Sequence, residues 1–281
     1  MELKQPIITL TTDFGTADGY VGAMKGVLLS ICPSAQLIDI THSIPPQDVY
    51  RAAFTLLNAA PFFPPETVHL VVVDPGVGTP RRPLALRAGG MIYVGPDNGV
   101  FTLVLRARPV DMAVALQNPA YHLQAGAISD TFHGRDLFAP AAAHLAAGVP
   151  LAEFGPQVTD WVTLPFPTPN LRLPHKLVGE VLYLDHFGNA ITNLGVLKWK
   201  GDGLEMTPIL NPDQAYSWSP GGEIACRGSV VRLARTYGDV PTGTPLGVIG
   251  SSGFLEIAVR DGSAGASLGL QPGDAVVWSG G

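Results

Sequence analysis

Three short polar stretches in the first half of the chain carry residue types that could act on a common ligand. They are Thr11-Thr12-Asp13-Phe14-Gly15, Asp74-Pro75-Gly76-Val77-Gly78-Thr79-Pro80-Arg81 and Asp130-Thr131-Phe132-His133-Gly134-Arg135-Asp136. Carboxylates, an arginine and a histidine together offer proton acceptors, a fixed cation and a group that titrates near neutrality, a set able to hold a polar substrate and activate water. The first two stretches directly follow apolar runs, Ile7–Thr12 and Leu70-Val71-Val72-Val73. Both aspartates should therefore reach one rim of a sheet, where open α/β sheets bind ligands. Each residue also has a plainer use. Asp in Asp-Pro-Gly forms turns, Asp13 could cap the next helix, and a lone His often serves only as a hydrogen-bond partner. Their conjunction is what points to an active site.

The second half holds Leu184-Asp185-His186-Phe187-Gly188-Asn189-Ala190-Ile191-Thr192-Asn193. This is either a hairpin turn served by Asn and Gly, or a platform for a flat heterocycle on which Phe187 stacks and Asn189 reads polar edges. Gly250-Ser251-Ser252-Gly253-Phe254-Leu255-Glu256 is a second small-residue loop that could admit a ligand close to its backbone. A Walker loop, a complete G-x-G-x-x-G after a strand, a G-x-S-x-G elbow and an H-E-x-x-H are all missing from the sequence. Asp13, Asp39, His42, Asp48, Asp74 and His133 could build a carboxylate/His metal site, yet their spacing is not diagnostic and Arg81 would oppose a cation. The expectation is no metal. Cys32 and Cys226 are too few and too far apart for a disulfide framework or a zinc-ligand set and read as ordinary buried thiols.

The elements that must position these groups alternate through the first 160 residues. Strands are expected at Ile7–Thr12, Gln36–Thr41, 68–73, 84–87 and 91–94, and helices at Tyr20–Ile31, 48–60, 100–105 and 134–147. Such alternation predicts an α/β domain with a largely parallel sheet flanked by helices. Thr163-Leu164-Pro165-Phe166-Pro167-Thr168-Pro169-Asn170 is proline-rich and favours an extended connection. Domains are thus expected at 1–165 and 176–281, joined by a linker at 166–175. Beyond Lys176, short β runs at 179–184, 229–233, Pro245–Ile249, Phe254–Val259 and 275–278 meet no convincing helix, so an all-β antiparallel sandwich or barrel is expected.

Composition narrows the partners. With 46% hydrophobic and 14% charged residues, 33 Gly and 26 Pro, the 281-residue chain reads as globular and rich in tight turns. A net charge of −6 without a Lys/Arg-rich run argues against nucleic acid. No stretch is long and apolar enough to suggest a membrane span, and the start, Met1-Glu2-Leu3-Lys4-Gln5-Pro6, lacks the pattern of a signal peptide. The expected location is cytoplasmic.

The stretches TTDFGTADGYVGAMKGV, VVVDPGVGTPRR, YVGPDNGVF, DTFHGRDLFAPAAAHLA, DHFGNAITN and SSGFLEIAV, in that order, resemble the S-adenosyl-L-methionine (SAM) hydroxide adenosyltransferases, relatives of fluorinase and chlorinase. The resemblance covers nearly the whole chain. It implies an N-terminal α/β domain and a C-terminal β-barrel, assembled as a homotrimer whose substrate lies between the N-terminal domain of one subunit and the C-terminal domain of its neighbour. The implied reaction is SAM plus water giving adenosine and L-methionine, with no cofactor. Asp74, Arg81 and His133 match the family's catalytic constellation, and Asp13 its ribose-binding aspartate. Asp18, Asp185 and Ser251 match the methionine end, and Phe187, Asn189 and the strand from Glu256 to Val259 the adenine side.

Halogenating relatives carry a non-acid at the position of Asp74, and a carboxylate beside the nucleophile would repel halide. Fluorinase also has an insertion where Ala88-Gly89-Gly90 connects directly here. Two tryptophans of the relatives' ligand site are Gln47 and Ile191 in this chain. The expected mechanism has Arg81 stabilising developing hydroxide while Asp74 and His133 position the water and take its proton, the choice between them left open. Competing readings are a 5′-halogenase of the same superfamily, a metal-dependent nucleoside hydrolase, and a non-catalytic SAM or adenosine sensor.

Overall fold

The structure, a computed structural model, describes residues 5–106, 108–124, 128–172, 176–211 and 213–280. Met1-Glu2-Leu3-Lys4 at the start and residues 173–175 of the expected linker lie outside them. The chain divides into two compact units, Met1–Leu164 and Pro165–Gly281.

The first unit runs β1 (Ile7–Thr12), α1 (Tyr20–Ile31), β2 (Gln36–Thr41), α2 (Val49–Ala59), β3 (Val68–Val72), β4 (Pro83–Ala88), β5 (Met91–Pro96), α3 (Thr102–Leu105), β6 (Val110–Ala115) and α4 (Ala139–Ala146). Its six strands form one sheet in the order β2-β1-β3-β5-β4-β6. The β1–β2, β1–β3 and β3–β5 pairs are parallel, whereas β4 is antiparallel to both β5 and β6. The sheet is therefore mixed, not largely parallel. Gly89 and Gly90 are the reason: at φ 56° and 74° they make the tight turn of a two-residue hairpin, so β5 folds straight back along β4 without a crossover.

Helices cover both faces of this sheet, which is why β3 is buried at every position. Leu70 and Val72 share one core with Met24 and Leu28 of α1 and with Ala139, Ala141, Ala142 and Ala143 of α4. Val71 and Val73 share the other with Ala52 and Leu56 of α2. Asp48 begins α2 by accepting the Arg51 N–H at 2.8 Å. The expected helix over 134–147 starts instead with a π-helical turn, Gly134–Phe138, that runs into α4.

The second unit contains β7 (Asn170–Arg172), β8 (Lys176–Leu184), β9 (Ala190–Lys200), β10 (Gly203–Thr207), β11 (Tyr216–Trp218), β12 (Glu223–Cys226), β13 (Ser229–Val231), β14 (Leu233–Ala234), β15 (Pro245–Ile249), β16 (Phe254–Val259) and β17 (Ala275–Ser279). They form one barrel-like sheet of eleven strands around a core that includes Ile224, Leu255, Ile257, Val276 and Trp278. Residues 170–172, expected in the linker, pair with β8 as strand β7. This half is not purely β. Ser263 caps a five-residue helix, α5 (Ala264–Leu268), by accepting from Ala266 N at 3.1 Å, and Gly269 ends it in the left-handed conformation.

One polar pair sits inside the first unit's core. Thr9 Oγ1 of β1 and His69 Nδ1 of β3 lie 2.8 Å apart, and the His69 ring stacks on Tyr93 at a centroid distance of 5.3 Å. Burial, aided by the charge of Arg108, pushes the His69 imidazole down to about 4. The folded chain then holds His69 neutral while the unfolded chain protonates it, so this group's stabilisation is complete above about pH 6.5 and is lost between there and about pH 4. That loss amounts to about 3 kcal/mol. Urea unfolding measured across this window should show a smaller loss for His69→Gln than for the wild type; equal losses would remove His69 as the cause.

Candidate active site

The second polar stretch starts where β3 leaves the core. Asn98 Nδ2 donates to the Val73 carbonyl at 2.9 Å and pins that exit. The chain then turns tightly: Val77 N donates to Asp74 O at 3.2 Å, and Thr79 binds Gly76 O through both its N–H and its hydroxyl, at 3.1 and 2.7 Å. Gly78 has a φ of 77°, and a Cβ there would stand 2.7 Å from the carbonyl oxygen of Asp130. Glycine thus lets the second and third polar stretches pack against each other.

The turn returns Arg81 to Asp74. Arg81 Nε donates to Asp74 Oδ1 at 2.8 Å, Nη2 donates to Oδ2, and Nη2 also reaches His133 Nδ1 at 2.8 Å. The Arg81 and Asp74 side chains are only 10% and 6% exposed. The guanidinium carbon stands 5.3 Å from the centre of the Phe138 ring. Arg82 points to a different task, binding Asp97 at 2.8 Å and Asp160 at 2.6 Å. Of two adjacent arginines, one joins the site and the other ties down its surroundings.

The contact with Arg81 also sets the state of His133. A guanidinium can only donate, so Nδ1 must accept and the proton of the neutral ring resides on Nε2. Burial first and the Arg81 charge second hold His133 below its ordinary value, against the pull of Asp74, Asp136 and Asp130. His133 immediately precedes the π-helical turn, a local irregularity common at functional sites. Gly134 brings that turn close to β3, since a Cβ would lie 3.3 Å from Val72 Cγ1 and 3.2 Å from Met24 Sδ. Asp136 is fully buried, yet it stays below the usual carboxylate range; burial opposes its charge, and the Arg135 guanidinium and the Ser129 N–H more than offset that.

Asp13, Asp74 and His133 line one cleft of about 390 Å³, together with Phe14, Tyr20, Gln47 and Phe132. Asp13 does not cap α1, whose N-cap is Gly19; its Oδ2 accepts the Gln47 N–H at 2.8 Å. Gln47 adopts φ 67°, a left-handed conformation that is uncommon for a residue with a side chain. Phe14, Tyr20 and Phe132 form an aromatic cluster with centroids 5.3 to 5.9 Å apart. Sequence reasoning did not single these rings out, although Phe14 adjoins Asp13 and Phe132 adjoins His133. Behind the Asp13 loop, His42 bridges Thr12 Oγ1 at 2.9 Å and Asp39 at 3.0 Å, and Lys25 holds Asp39 at 2.6 Å. Among the described residues no group of three or more His, Cys, Asp or Glu side chains is arranged to hold a metal ion. Asp18 is exposed and is not part of the cleft lining.

The second unit gathers its own set of sequence-predicted residues. Phe187, Asn189 and Val259 line a pocket of about 560 Å³ with Tyr237, Asp261 and Gly262. Phe187 is 73% exposed, whereas Asn189 is 6% exposed. Asp185 supports the turn beneath them: Oδ1 accepts the N–H groups of Phe187 and Asn189 at 2.9 and 2.8 Å, and Oδ2 accepts from Asn189 Nδ2 at 3.1 Å. Glu256 is buried and accepts the Tyr237 hydroxyl at 3.0 Å. Tyr237 carried no sequence signal that set it apart from other tyrosines. Ser251 is exposed and outside this lining. A Cβ on residue 250 would overlap Glu256 Oε1, so glycine there gives the carboxylate its place.

Comparison with known proteins follows this geometry. The family model for the SAM hydroxide adenosyltransferase N-terminal domain matches residues 8–155, and that for the C-terminal domain matches residues 179–277. The chain is 42% identical over 274 residues to an (R)-S-adenosyl-L-methionine hydrolase of Thermus thermophilus, covering 96% of this chain and 97% of that one. It is 43% identical over 271 residues to the protein of the same name from Salinispora arenicola, covering 96% of each. A fluorinase of an Actinoplanes species is 33% identical over 282 residues, covering 90% of each. A crystal structure of a conserved protein from Thermotoga maritima superposes with a TM-score of 0.82 at 36% identity, over 96% of this chain and 98% of that one. With both family models matched in order over most of its length, the chain belongs to the SAM hydroxide adenosyltransferase family.

Proposed function

We propose that the protein hydrolyses S-adenosyl-L-methionine to adenosine and L-methionine by attack of water on the ribose C5′. The observation that carries this reading is the fork from Arg81 to Asp74 and His133 on the wall of a cleft that also holds Asp13. A sulfonium leaves as a neutral thioether, so no acid need protonate the leaving group and the scheme calls for no cofactor. The C–O bond forms as the C–S bond breaks, the electron pair of C–S passes to sulfur, and the water proton passes to a base.

Two costs set what the site must supply. Full deprotonation of water at pH 7 would take roughly 12 kcal/mol from a pKa near 15.7. Alignment of the nucleophile opposite the breaking bond can contribute about 7 to 11 kcal/mol. In this scheme Asp13 fixes the ribose, Arg81 stabilises the developing hydroxide, and Asp74 and His133 orient the water. As long as Arg81 donates to His133 Nδ1, the imidazole offers water its Nε2–H and has no free lone pair. Asp74 is then the proton acceptor. The same carboxylate opposes a halide, which favours water over halogenation.

The remaining assignments follow the family resemblance. Asp18, Asp185 and Ser251 serve the methionine end; Phe187, Asn189, Glu256 and Val259 serve the adenine side. The assembly is a homotrimer in which the first unit of one subunit and the second unit of its neighbour share the substrate. Cytoplasm is the proposed compartment, in keeping with two buried, unbridged cysteines. No helix among the described residues is long and apolar enough to cross a membrane.

Incubation with SAM in 18O-labelled water should yield adenosine labelled at its 5′ oxygen and an equal amount of methionine; intact SAM, or a halide-dependent 5′-halo-adenosine, would overturn the reading. Arg81→Ala should lower kcat by about 10²- to 10³-fold while KM moves by no more than about threefold. An unchanged kcat would take Arg81 out of the mechanism. Co-expression of Arg81→Ala with Asn189→Ala chains tests the shared site, because only a site built from two subunits can then combine intact halves. Mixed assemblies should regain roughly a quarter of wild-type activity, and no recovery would place both halves in one chain.

A further inference from the structure

Asp13 sits in a loop whose residues on both sides are tied to one neighbour, His42. The Gly15 N–H donates to the His42 carbonyl at 2.8 Å, and Thr12 Oγ1 lies 2.9 Å from His42 Nδ1. The same hydroxyl oxygen accepts the Phe14 N–H at 3.3 Å, and the Thr12 carbonyl accepts the Ile44 N–H at 3.4 Å. Thr12 is fully buried and His42 is 6% exposed, so water does not compete for these bonds. His42, whose residue type also suits a metal ligand, is outside the cleft lining. It stands one layer behind it.

The surroundings of the ring fix its orientation. Nε2 stands 3.0 Å from Asp39 Oδ1, within ion-pair distance although outside hydrogen-bond geometry. Asp39 stays below the usual carboxylate range; burial opposes its charge, and Lys25 and His42 more than offset that. The carboxylate draws a ring hydrogen to Nε2, which leaves Nδ1 to the Thr12 hydroxyl. The consequence falls on Asp13. Its Oδ2 accepts the Gln47 N–H at 2.8 Å, from the same segment as His42, while Oδ1 has no partner among the described residues. One oxygen is held by the fold, and the other is left for a ligand of the cleft that Asp13 lines.

We infer that His42 is a positioning residue for the Asp13 carboxylate: through Thr12 and Gly15 it fixes the loop so that Asp13 accepts from the hydroxyls of a bound ribose. This rests on the proposed function in taking Asp13 as the ribose contact. A hydroxyl bound to a carboxylate makes a short, directional bond, so its strength depends on where the loop stands. The two polar contacts of the ring can be separated by substitution. An asparagine amide falls near the place of Nδ1 and a glutamine amide near that of Nε2, so His42→Asn keeps the Thr12 bond and His42→Gln gives it up.

The test reads ribose discrimination by titration calorimetry, with adenosine and 2′,3′-dideoxyadenosine as the ligands. Wild-type protein should bind adenosine about 30-fold tighter, as expected of a hydrogen bond to a charged group. In His42→Gln that preference should shrink about fivefold, with the dideoxynucleoside bound within about twofold of wild type. His42→Asn should keep most of the preference. Asp13→Ala should abolish it, and adding His42→Gln to that change should cost nothing more. Thr12→Val keeps the shape and removes the hydroxyl; it should match His42→Gln and replaces it if that variant does not fold. An equal loss for both ligands overturns the inference, as does an unchanged preference in these variants or a wild type that does not discriminate. Discrimination of this pattern in a protein that leaves SAM intact would remove the hydrolase reading and keep this one; SAM cleavage with no ribose discrimination would do the reverse.

Discussion

A guanidinium that is almost closed off from water must be paired, and the first unit's cleft is built around that requirement. Arg81 has its charge met by both oxygens of Asp74 and by the ring nitrogen of His133, with Phe138 under its face. Breaking such a buried pair by removing one partner leaves an uncompensated charge, which costs far more than the intact pair contributes. The arrangement also carries chemical information. An imidazole accepts from a cation only when neutral, so one contact determines both the protonation and the tautomer of His133.

Much of the surrounding structure can be understood as holding that fork in place. Asn98 ties down the carbonyl before Asp74, Gly78 lets the Asp130 loop approach, and Gly134 draws the π-helical turn toward β3. Arg82 with Asp97 and Asp160 secures the next segment of chain. None of these groups needs to touch a substrate. In the proposed reaction their work is preorganisation, which lets a charge develop on a nucleophile without moving the dipoles that stabilise it.

The second unit handles polarity differently. Its pocket sets an amide and a phenol, each bound by a carboxylate, beside the Asp261 side of the lining. Neutral donors and acceptors are poor at driving chemistry but good at telling one ring edge from another, since a mismatched pair leaves two buried groups unsatisfied. The two units thus present different kinds of side chain: a charged fork in the first, an amide and a phenol each bound by a carboxylate in the second.

The sequence by itself determined the strand exits that carry Asp13 and Asp74, the helices on both faces of the first sheet and the family motifs, because hydrophobic periods and turn residues are local properties. The Gly89-Gly90 hairpin was equally local and was there to be read as the antiparallel turn it is. What tertiary structure alone decided were partnerships across long stretches of chain. His133 meets an arginine 52 residues away, and Asn189 a tyrosine 48 residues away. Neither pairing has a spacing rule. Which of Arg81 and Arg82 pairs with Asp74 and His133, and why Asp18 faces solvent while Asp13 binds the Gln47 backbone, depend on the order of strands in the sheet and on space left by glycines. Those are decided only when the whole chain packs.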